Sequence, residues 1–327
     1  MTLDEIKEFL GNDWKETDGL IRSSLRSDID LLNTTNEAIL EHSGKQLRPI
    51  VSLLVARACG NGKANEDSVR CAAASELLHN ATLLHDDVAD SSSERRGAPT
   101  VMAILGGPAS VILGDYWLVK AMDNILASSA HGNEVIRIFS KTLSSLAEGE
   151  MLQLQKASSG DTEEEDYFRI IYSKTASLFE STCVSAAISV NAPEAWVEAV
   201  RNYAVSLGIA FQIKDDIFDY TGGKKIGKPV GIDLEEQKIT LPLLGALESA
   251  SDERASHIRN MLLNIQEHPE YKEDIVAFVK EEKGIEYAVS RLDEYVAKAV
   301  GALATLPDSR EKDYLVKIAE FTAYRDK

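Results

Sequence analysis

Apolar residues recur along most of this chain with the 3.6-residue period of amphipathic helices. Besides helices within residues 1–43 that break near Gly11, the pattern predicts helices over Ile50–Ala58, Val69–Asp90, Ala109–Ala127 and Asn133–Lys156. The Val69–Asp90 run is apolar over much of its surface, which predicts a position at the centre of the fold. No segment alternates apolar and polar residues convincingly, so no strand is predicted.

Helical periodicity continues through the second half of the chain. In order, the pattern predicts a helix opened by a Thr162–Glu165 capping box and running through residues 174–187, a helix from Pro193 to residues 222–223, a glycine-rich basic loop over 224–234, and amphipathic helices across 252–327. The prediction is an all-α fold, a bundle of about ten or more helices around a central cavity. No linker interrupts the pattern, so residues 1–327 are expected to form a single domain.

Composition excludes several classes of protein. The chain is 44% hydrophobic and 27% charged, as in an ordinary globular protein, and its formal net charge of −18 argues against nucleic-acid binding. Its three cysteines, Cys59, Cys71 and Cys183, are odd in number and lack CxxC spacing, which is typical of core residues in a reducing compartment. The N-terminus lacks signal-peptide character, and no run approaches the ~18 apolar residues of a membrane helix. We expect a soluble, cytoplasmic protein.

Two predicted helices end in the same acidic motif. Each end carries three carboxylates within five residues, and these are Asp86, Asp87 and Asp90 in one helix and Asp215, Asp216 and Asp219 in the other. Carboxylates one turn apart repel each other by a few tenths of a kcal/mol per pair in water. Oxygen ligands suit Mg²⁺ or Mn²⁺, and Mg²⁺ usually binds one or two carboxylates together with substrate phosphates. The sequence therefore predicts two acidic helix ends that bind a diphosphate through magnesium.

A basic pair precedes the first acidic motif. Lys45 and Arg48 are three residues apart at a predicted helix start, where Pro49 suits the first turn. Free backbone N–H groups at such a start favour anion binding. Two solvated surface charges are the simpler interpretation of this pair when it is taken alone.

Three more polar residues lie close to the first motif in sequence. His79 precedes Asp86 by two helical turns on the same face, so it is either a core histidine or a diphosphate ligand. Arg95 and Arg96 follow the motif, and they could form a structural ion pair or clamp phosphates.

Taken together, these motifs resemble those of the polyprenyl synthetase family, the trans-isoprenyl diphosphate synthases. In family order, they are GKQLRP at 44–49, LLHDDVAD at 83–90, RRGAPT at 95–100, KT at 174–175, FQIKDDIFD at 211–219, and GKPVGIDL then KITLP at 227–242. One DDxxD motif is weak evidence, whereas two with the intervening motifs in order are specific. The resemblance implies an isoprenoid-synthase-type helical bundle and a prenyltransferase that joins isopentenyl diphosphate head-to-tail to an allylic diphosphate.

The resemblance also assigns roles to individual residues. It implies that all six motif aspartates face magnesium, with direct ligation favoured for Asp86, Asp90 and Asp215. It implies that the allylic diphosphate or its transition state is contacted by Arg95, Lys174, Thr175, Gln212, Lys228 and Lys238, and that isopentenyl diphosphate is held by Lys45, Arg48, His79 and Arg96. One departure is Gln237, where a glycine commonly precedes the lysine. That departure leaves the position of Lys238 open.

Product length is expected to depend on residues one turn below the first motif. Ala81 and Thr82 are both small, whereas bulky aromatic residues near these positions form the floor of the chain tunnel in short-chain members of the family. The ~1.5 Å helical rise per residue places these two side chains about one turn below Asp86. Because they are small, we predict that a chain can pass them and that the product is medium or long, about C25 to C40. Small residues chosen for helix packing are the alternative explanation. Phe139 is the candidate for a deeper floor.

Several rival functions stay open at this point. A short-chain synthase making C15 or C20 products would keep the same motifs, and a non-catalytic partner subunit would have no reason to retain six self-repelling carboxylates. A terpene cyclase or a head-to-head synthase would not need the GKQLRP and RRG motifs. The resemblance further implies Mg²⁺ as the cofactor, with Mn²⁺ possible, and a homodimer. It implies no integral membrane segment and leaves room for transient membrane contact during release of an apolar product.

Overall fold

A computed structural model describes residues 2–222 and 230–324, and these residues are almost entirely helical. The α-helices are α1 (Leu3–Leu10), α2 (Asn12–Ser24), α3 (Asp30–Glu41), α4 (Leu47–Cys59), α5 (Glu66–Ala89), α6 (Val101–Leu105), α7 (Gly107–Leu126), α8 (Gly132–Ser159), α9 (Glu164–Ile171), α10 (Ser177–Ser189), α11 (Glu194–Thr221), α12 (Ile232–Glu235), α13 (Leu241–Ser249), α14 (Asp252–Leu263), α15 (Tyr271–Glu281), α16 (Gly284–Ala302) and α17 (Arg310–Tyr324). A π-helical turn covers Tyr172–Ala176, and a 3₁₀ turn covers Leu303–Thr305. The predicted all-α class is confirmed.

Internal contacts divide the chain into two compact units, each assembled from three stretches of sequence. Unit 1 comprises Met1–Ser140, Ser181–Val200 and Thr305–Leu315, and unit 2 comprises Lys141–Glu180, Arg201–Ala304 and Val316–Lys327. The first acidic motif therefore belongs to unit 1 and the second to unit 2. The expected single domain stays a prediction.

Helix α5 lies at the centre of unit 1, as its apolar pattern predicts. It packs against α2, α4 and α7. Its helix begins earlier than predicted because Asn65 caps it: the Asn65 side chain accepts from Ser68 N at 2.9 Å, and Ser68 Oγ in turn accepts from Asn65 N. Leu77 is fully buried and Leu78 nearly so, at 0% and 1% exposed. The first acidic motif is thus built on a largely buried helix of unit 1.

The core of unit 2 surrounds the second half of α11. Its buried apolar residues come from α9, the π-helical turn, α11, α12, α13, α14, α15 and α16, and the largest contributors include Tyr167, Ile171, Ile213, Tyr220, Leu234, Leu241, Leu262, Phe278 and Leu292. The second acidic motif therefore also sits at the end of a helix fixed by a dense apolar core.

Three local features differ from the sequence prediction. A minimal antiparallel ribbon forms where no strand was expected, with β1 (Glu94–Arg95) paired to β2 (Ala98–Pro99). The capping box that opens α9 uses Glu163 and Asp166, so the predicted Thr162–Glu165 pair is wrong by one residue. The basic loop predicted over 224–234 contains the short helix α12 in its described part.

Among the residues that the structure describes, no helix combines the length and apolar composition needed to span a bilayer.

Candidate active site

The first acidic motif ends α5, and its three aspartates have different surroundings. Asp87 is only 4% exposed, and its Oδ1 accepts from Arg95 Nε at 2.7 Å. Asp86 is half-buried, and Asp90 is exposed at the C-cap of the helix. The buried Asp87 carboxylate therefore joins the end of α5 to Arg95. Asp86 and Asp90 lie one turn apart on one face of the helix.

Helix α7 supports this end of α5 from the side. Ser110 Oγ donates to Leu84 O at 2.8 Å, and His85 Nε2 lies 3.2 Å from Asp115 Oδ1. These contacts fix the last turns of α5 and therefore the direction of the motif.

The β1–β2 ribbon holds the two arginines that follow the motif. Its turn has positive φ at both central residues, 57° at Arg96 and 78° at Gly97, as a tight two-residue hairpin requires. Arg95 forms the structural ion pair with Asp87, while Arg96 Nη1 donates to His42 O at 3.1 Å. The Arg96 guanidinium packs on Gly44, where an added Cβ would lie only 2.6 Å from Arg96 Cζ. Arg95 therefore forms a structural ion pair, and a phosphate-binding role for either arginine stays a prediction.

Three basic residues of unit 1, Lys7, Arg48 and Arg96, act on a buried acid that the sequence analysis missed, Glu76. Lys45 is exposed, and Arg48 and His79 are half-buried. Glu76 is 1% exposed, and burial raises its pKa, while Arg48, Asn80, Arg96 and Lys7 oppose that rise. Asn80 Nδ2 donates to Glu76 Oε1 at 3.1 Å. The signal in the sequence was a single glutamate inside an otherwise apolar helical run.

His79 is expected to stay neutral at physiological pH. Burial lowers its pKa well below the usual 6.5, and the charges of Arg48, Arg96 and Arg95 lower it further. A neutral imidazole can still hydrogen-bond a diphosphate.

For isopentenyl diphosphate, the ligand that the resemblance implies for His79, we therefore predict that the pH dependence of kcat/KM has no limb between pH 6 and 8 that depends on His79, since kcat/KM reports the free enzyme. His79→Gln should preserve the shape of the profile over this range while changing its height. The measurement is the pH–rate profile of both proteins. A limb near pH 6.5 that disappears in the variant would contradict a neutral His79.

The second acidic motif ends α11, and its central aspartate is also buried. Asp216 is 3% exposed; its Oδ2 accepts from Tyr167 Oη at 2.7 Å and its Oδ1 accepts from Gln212 Nε2 at 2.9 Å. Burial raises the pKa of Asp216 well above its usual value, and both hydrogen bonds oppose that rise. Tyr167 was not identified from the sequence, because a tyrosine on the buried face of α9 gives no pattern that links it to a distant acidic motif.

The other two aspartates of this motif are less buried. Asp219 is half-buried and accepts from the backbone N–H groups of Ile232 and Asp233, at 3.0 Å and 3.2 Å. Asp215 is half-buried and follows Phe211 by one turn on the same helix. Asp219 therefore ties the end of α11 to the start of α12.

The π-helical turn presents the predicted Lys174-Thr175 pair. Thr175 Oγ1 donates to Gln212 Oε1 at 2.9 Å, which orients the amide whose Nε2 reaches Asp216. Lys174 Nζ donates to Gln153 Oε1 at 3.0 Å and forms an ion pair with Glu150. Single π-turns inside helices are frequently found at functional sites. Hydrogen bonds thus link Thr175, Gln212 and Asp216, and Lys174 precedes Thr175 on the same π-helical turn. The substrate roles of these residues stay predictions.

The departure at Gln237 has a conformational explanation. Gln237 has a φ of 57°, in the left-handed region that glycine adopts without strain. Its side chain donates to Leu263 O at 2.8 Å, and the next residue's N–H, that of Lys238, donates to Asp233 O at 2.8 Å. The backbone fold that a glycine would give is therefore kept, and Lys238 pairs with Glu236. Lys228 lies outside the described residues.

The residues predicted to control product length all lie in unit 1. Ala81 is 1% exposed and Thr82 is half-buried, with its hydroxyl donating to His79 O at 2.8 Å. Phe139 is 1% exposed near the start of α8. Their roles stay predictions.

The donor chemistry of both motifs suits a hard cation. Asp86, Asp90 and Asp215 supply oxygen atoms only, which Mg²⁺ prefers. Across residues 2–222 and 230–324, histidine, cysteine and acidic side chains form no group of three or more arranged to hold a metal ion. Asp87 and Asp216 each accept a hydrogen bond from a protein donor, Arg95 and Tyr167 respectively.

Comparison with known proteins identifies the family. The polyprenyl synthetase family matches residues 29–279. The chain belongs to the polyprenyl synthetase family. It is 37% identical to an octaprenyl diphosphate synthase of Haemophilus influenzae, over 100% of this chain and 98% of that protein. It is 36% identical to an all-trans-nonaprenyl-diphosphate synthase of Rhodobacter capsulatus, over 97% of this chain and 96% of that protein.

Solved structures of polyprenyl synthetases agree with this assignment. The decaprenyl diphosphate synthase of Rhodobacter capsulatus superposes with a TM-score of 0.92 at 33% identity, covering 99% of both chains. A polyprenyl synthase of Caulobacter crescentus, solved with calcium and isoprenyl diphosphate, gives a TM-score of 0.90 at 31% identity, over 100% of this chain and 98% of that one. The motif resemblance, the isoprenoid-synthase-type fold and the expectation of an enzyme are all confirmed.

Proposed function

We propose that this chain is a prenyltransferase that extends an allylic diphosphate with isopentenyl diphosphate to a medium- or long-chain polyprenyl diphosphate. The observation that carries the proposal is that both aspartate motifs are intact in a chain related along its whole length to octaprenyl and nonaprenyl diphosphate synthases. In each motif the central aspartate accepts from a protein donor, Asp87 from Arg95 and Asp216 from Tyr167, and we assign direct metal ligation to Asp86, Asp90 and Asp215.

The residues divide the work between the two substrates. Lys45, Arg48, His79 and Arg96 bind isopentenyl diphosphate, and burial among arginines keeps His79 neutral there. Lys174, Thr175, Gln212, Lys228 and Lys238 contact the allylic diphosphate, together with Arg95. Asp86 and Asp90 of the first motif and Asp215 of the second would hold Mg²⁺, which would supply charge neutralisation to the pyrophosphate leaving group. The Caulobacter crescentus structure with calcium and isoprenyl diphosphate supports a divalent cation in this role.

Charge placement explains the reaction without a nucleophile. The allylic C–O bond breaks to release pyrophosphate, and cationic donors such as Lys174 stabilise the charge that develops on the leaving oxygens. The double bond of isopentenyl diphosphate then attacks the allylic cation, and loss of a proton leaves a chain longer by one C5 unit. Thr175 fixes the Gln212 amide beside Asp216, so the polar side of this site is preorganised before substrate arrives.

A product assay tests the function. The purified protein is incubated with Mg²⁺, labelled isopentenyl diphosphate and separate C5, C10, C15 and C20 allylic primers, and the dephosphorylated alcohols are sized. We expect a ladder ending above C20, and the octaprenyl relatives place the upper end of our range, C40, within reach. A stop at C15 or C20 would make this a short-chain synthase, and no metal-dependent incorporation would favour a non-catalytic partner subunit.

Ala81→Phe should shorten the product. Ala81 lies five residues before Asp86, or about 7.5 Å along the helix axis, and it is 1% exposed. An aromatic ring there would fill the path that we propose for the growing chain, so we expect the main product to lose several C5 units with the rate of the first condensation changed less than about fivefold. Chromatography of the alcohols measures this. Ala73→Phe, at a fully buried alanine nearer the start of α5, is the matched control for overpacking. Unchanged product length in a folded Ala81→Phe protein would contradict the assignment.

We further propose that the protein is a cytoplasmic homodimer joined through an apolar face of α6 and α7. This face comprises the exposed residues Ile104, Leu105, Val111, Ile112, Val119 and Leu126. Positions 112, 119 and 126 repeat every seven residues, the spacing of helix-packing seams, and Ile112 is 69% exposed. Exposed apolar stripes of this kind mark association surfaces more often than free solvent-facing helices.

Light scattering after size exclusion tests the dimer. The wild type should elute as a dimer and Ile112→Glu as a monomer, while Ile29→Glu should stay dimeric because Ile29, 57% exposed at the N-cap of α3, is not one of the residues of this face. A wild-type monomer, or equal effects of both substitutions, would exclude this interface. Assays with and without lipid vesicles report whether membrane contact speeds release of the apolar product.

A further inference from the structure

The N-terminal helix α1 contacts the GKQLRP motif through one side chain. Lys7 Nζ donates to Gln46 Oε1 at 3.1 Å. The same ammonium lies 4.5 Å from the centroid of the Trp14 ring, within cation–π range. Lys7 is half-buried. A lysine held between an amide and an aromatic ring is ordered, unlike a free surface charge.

Gln46 needs such support because its backbone is strained. It has φ 51° and ψ 42°, the left-handed conformation, at the N-cap of α4. A residue with a Cβ rarely adopts this backbone conformation, which persists only where the surrounding structure holds it. The Gln46 side chain makes no capping bond to its own helix and accepts from Lys7 instead. The Lys7 hydrogen bond therefore holds the side chain of the strained residue, Gln46.

Gln46 stands directly between the two cations that we assign to isopentenyl diphosphate. Lys45 precedes it, and Arg48 lies in the first turn of the helix that Gln46 opens. The peptide planes on either side of Gln46 set the directions of both side chains, so a change at φ 51° would redirect them together. Lys7 also attracts the buried Glu76, which in turn attracts Arg48 and Arg96. The same lysine thus acts on the motif from two sides.

A second contact keeps α1 in place on α4. Arg57, near the end of α4, donates to Phe9 O at 3.1 Å and to Asp13 Oδ2 at 2.6 Å. Ile6 and Leu10 are fully buried. Helix α1 is therefore fixed independently of Lys7, and replacing Lys7 should not release the helix.

We propose that Lys7 is a positioning residue for the isopentenyl diphosphate site, which it keeps in register by holding Gln46 in its left-handed conformation. The identity of the ligand rests on the proposed function, whereas the Lys7–Gln46 contact does not. Helix α1 then contributes to substrate affinity although none of its residues is assigned to touch substrate.

Kinetics of matched variants test the proposal. Lys7→Met keeps the aliphatic stem and removes the charge, and we expect the KM for isopentenyl diphosphate to rise about fivefold, or about 1 kcal/mol, with kcat and the KM for the allylic primer within about twofold. Lys7→Arg should restore the KM, since a guanidinium can also donate to Gln46. Lys15→Met, at an exposed lysine of α2, is the control and should change nothing. Gln46→Leu should match Lys7→Met, and the double variant should be no worse than either single variant.

Hydrogen exchange gives a readout that does not depend on activity. The Ile50 amide, which donates to Gln46 O at 3.4 Å, should exchange faster in Lys7→Met and at the wild-type rate in Lys15→Met. Unchanged exchange, equal shifts in both substrate KM values, or additive effects of the Lys7 and Gln46 substitutions would each overturn the positioning role. If the wild type makes no polyprenyl product, the proposed function fails, while the exchange rates still decide whether Lys7 holds Gln46.

Discussion

Asp86→Asn is expected to lower kcat/KM by roughly 10²–10³-fold, the loss typical of removing one group that stabilises developing charge. Asp86 is half-buried at the end of α5 and shares a face with Asp90 one turn on. Asparagine keeps the shape and removes the charge that a magnesium ion needs. The Mg²⁺ concentration for half-maximal rate should therefore rise, and the unfolding temperature should stay within about 2 °C of the wild-type value.

Asp87→Asn is the contrasting variant on the same helix end. Asp87 is 4% exposed and pairs with Arg95 at 2.7 Å, so its replacement should act mainly on stability. The expected loss is about 1–2 kcal/mol, kept low because asparagine can still accept from Arg95 and because Arg95 itself is partly solvated. Its Mg²⁺ dependence should resemble that of the wild type.

Rate measurements over a range of Mg²⁺ concentrations, combined with thermal unfolding, separate the two variants. The division of labour within the motif would be wrong if Asp87→Asn shifted the Mg²⁺ dependence while Asp86→Asn destabilised the fold. Equal behaviour of the two variants would also contradict it.

The sequence could predict that two acidic helix ends exist, but not which carboxylate in each is buried. The spacing of Asp86, Asp87 and Asp90 allows several rotations of the helix about its axis. The rotation is decided by distant partners, Arg95 on a ribbon and Ser110 on α7, which periodicity does not show. Asp87 and Asp216, the central aspartates of the two motifs, are buried, which is compatible with Asp86, Asp90 and Asp215 as direct ligands. That ligand set stays a prediction.

Helix positions were predicted well because long periodic segments carry a strong signal. The predicted run over Val69–Asp90 corresponds to Glu66–Ala89, and that over Asn133–Lys156 corresponds to Gly132–Ser159. The error at the start of α5 arises because Asn65 and Ser68 cap each other, a pattern without the usual glutamate.

Short features escaped prediction for a physical reason. A ribbon with two residues in each strand offers no alternation, and its one local signal is Gly97 after Arg96 in a turn with two positive φ angles. The π-helical turn has nearly the same apolar period as the α-helix around it. Its register is set by contact with α11, which lies far away in sequence.

That contact gives the second large prediction. Gly208→Ala should lower activity by about 10²-fold, since misplacing a site by about 1 Å can cost that much. A Cβ at Gly208 would lie 2.5 Å from Ala176 Cα and 2.8 Å from Ala176 Cβ, so the backbone of the π-turn would have to move. That turn carries Thr175, whose hydroxyl bonds Gln212 one helical turn beyond Gly208.

Gly301→Ala is the matched control, because Gly301 is also helical and an added Cβ there meets nothing within 4 Å. We expect Gly301→Ala to stabilise the protein by up to about 1 kcal/mol through helix propensity alone, and Gly208→Ala to destabilise it by about 1–3 kcal/mol through overpacking.

Kinetics and thermal unfolding measured on both variants give the result. Full activity in Gly208→Ala would mean that the turn can shift without disturbing Lys174 and Thr175, and the preorganised Thr175–Gln212–Asp216 hydrogen bonds would then not limit the rate. If Gly208→Ala loses more activity than its lower stability can explain, then catalysis depends on the spacing between α11 and the π-helical turn.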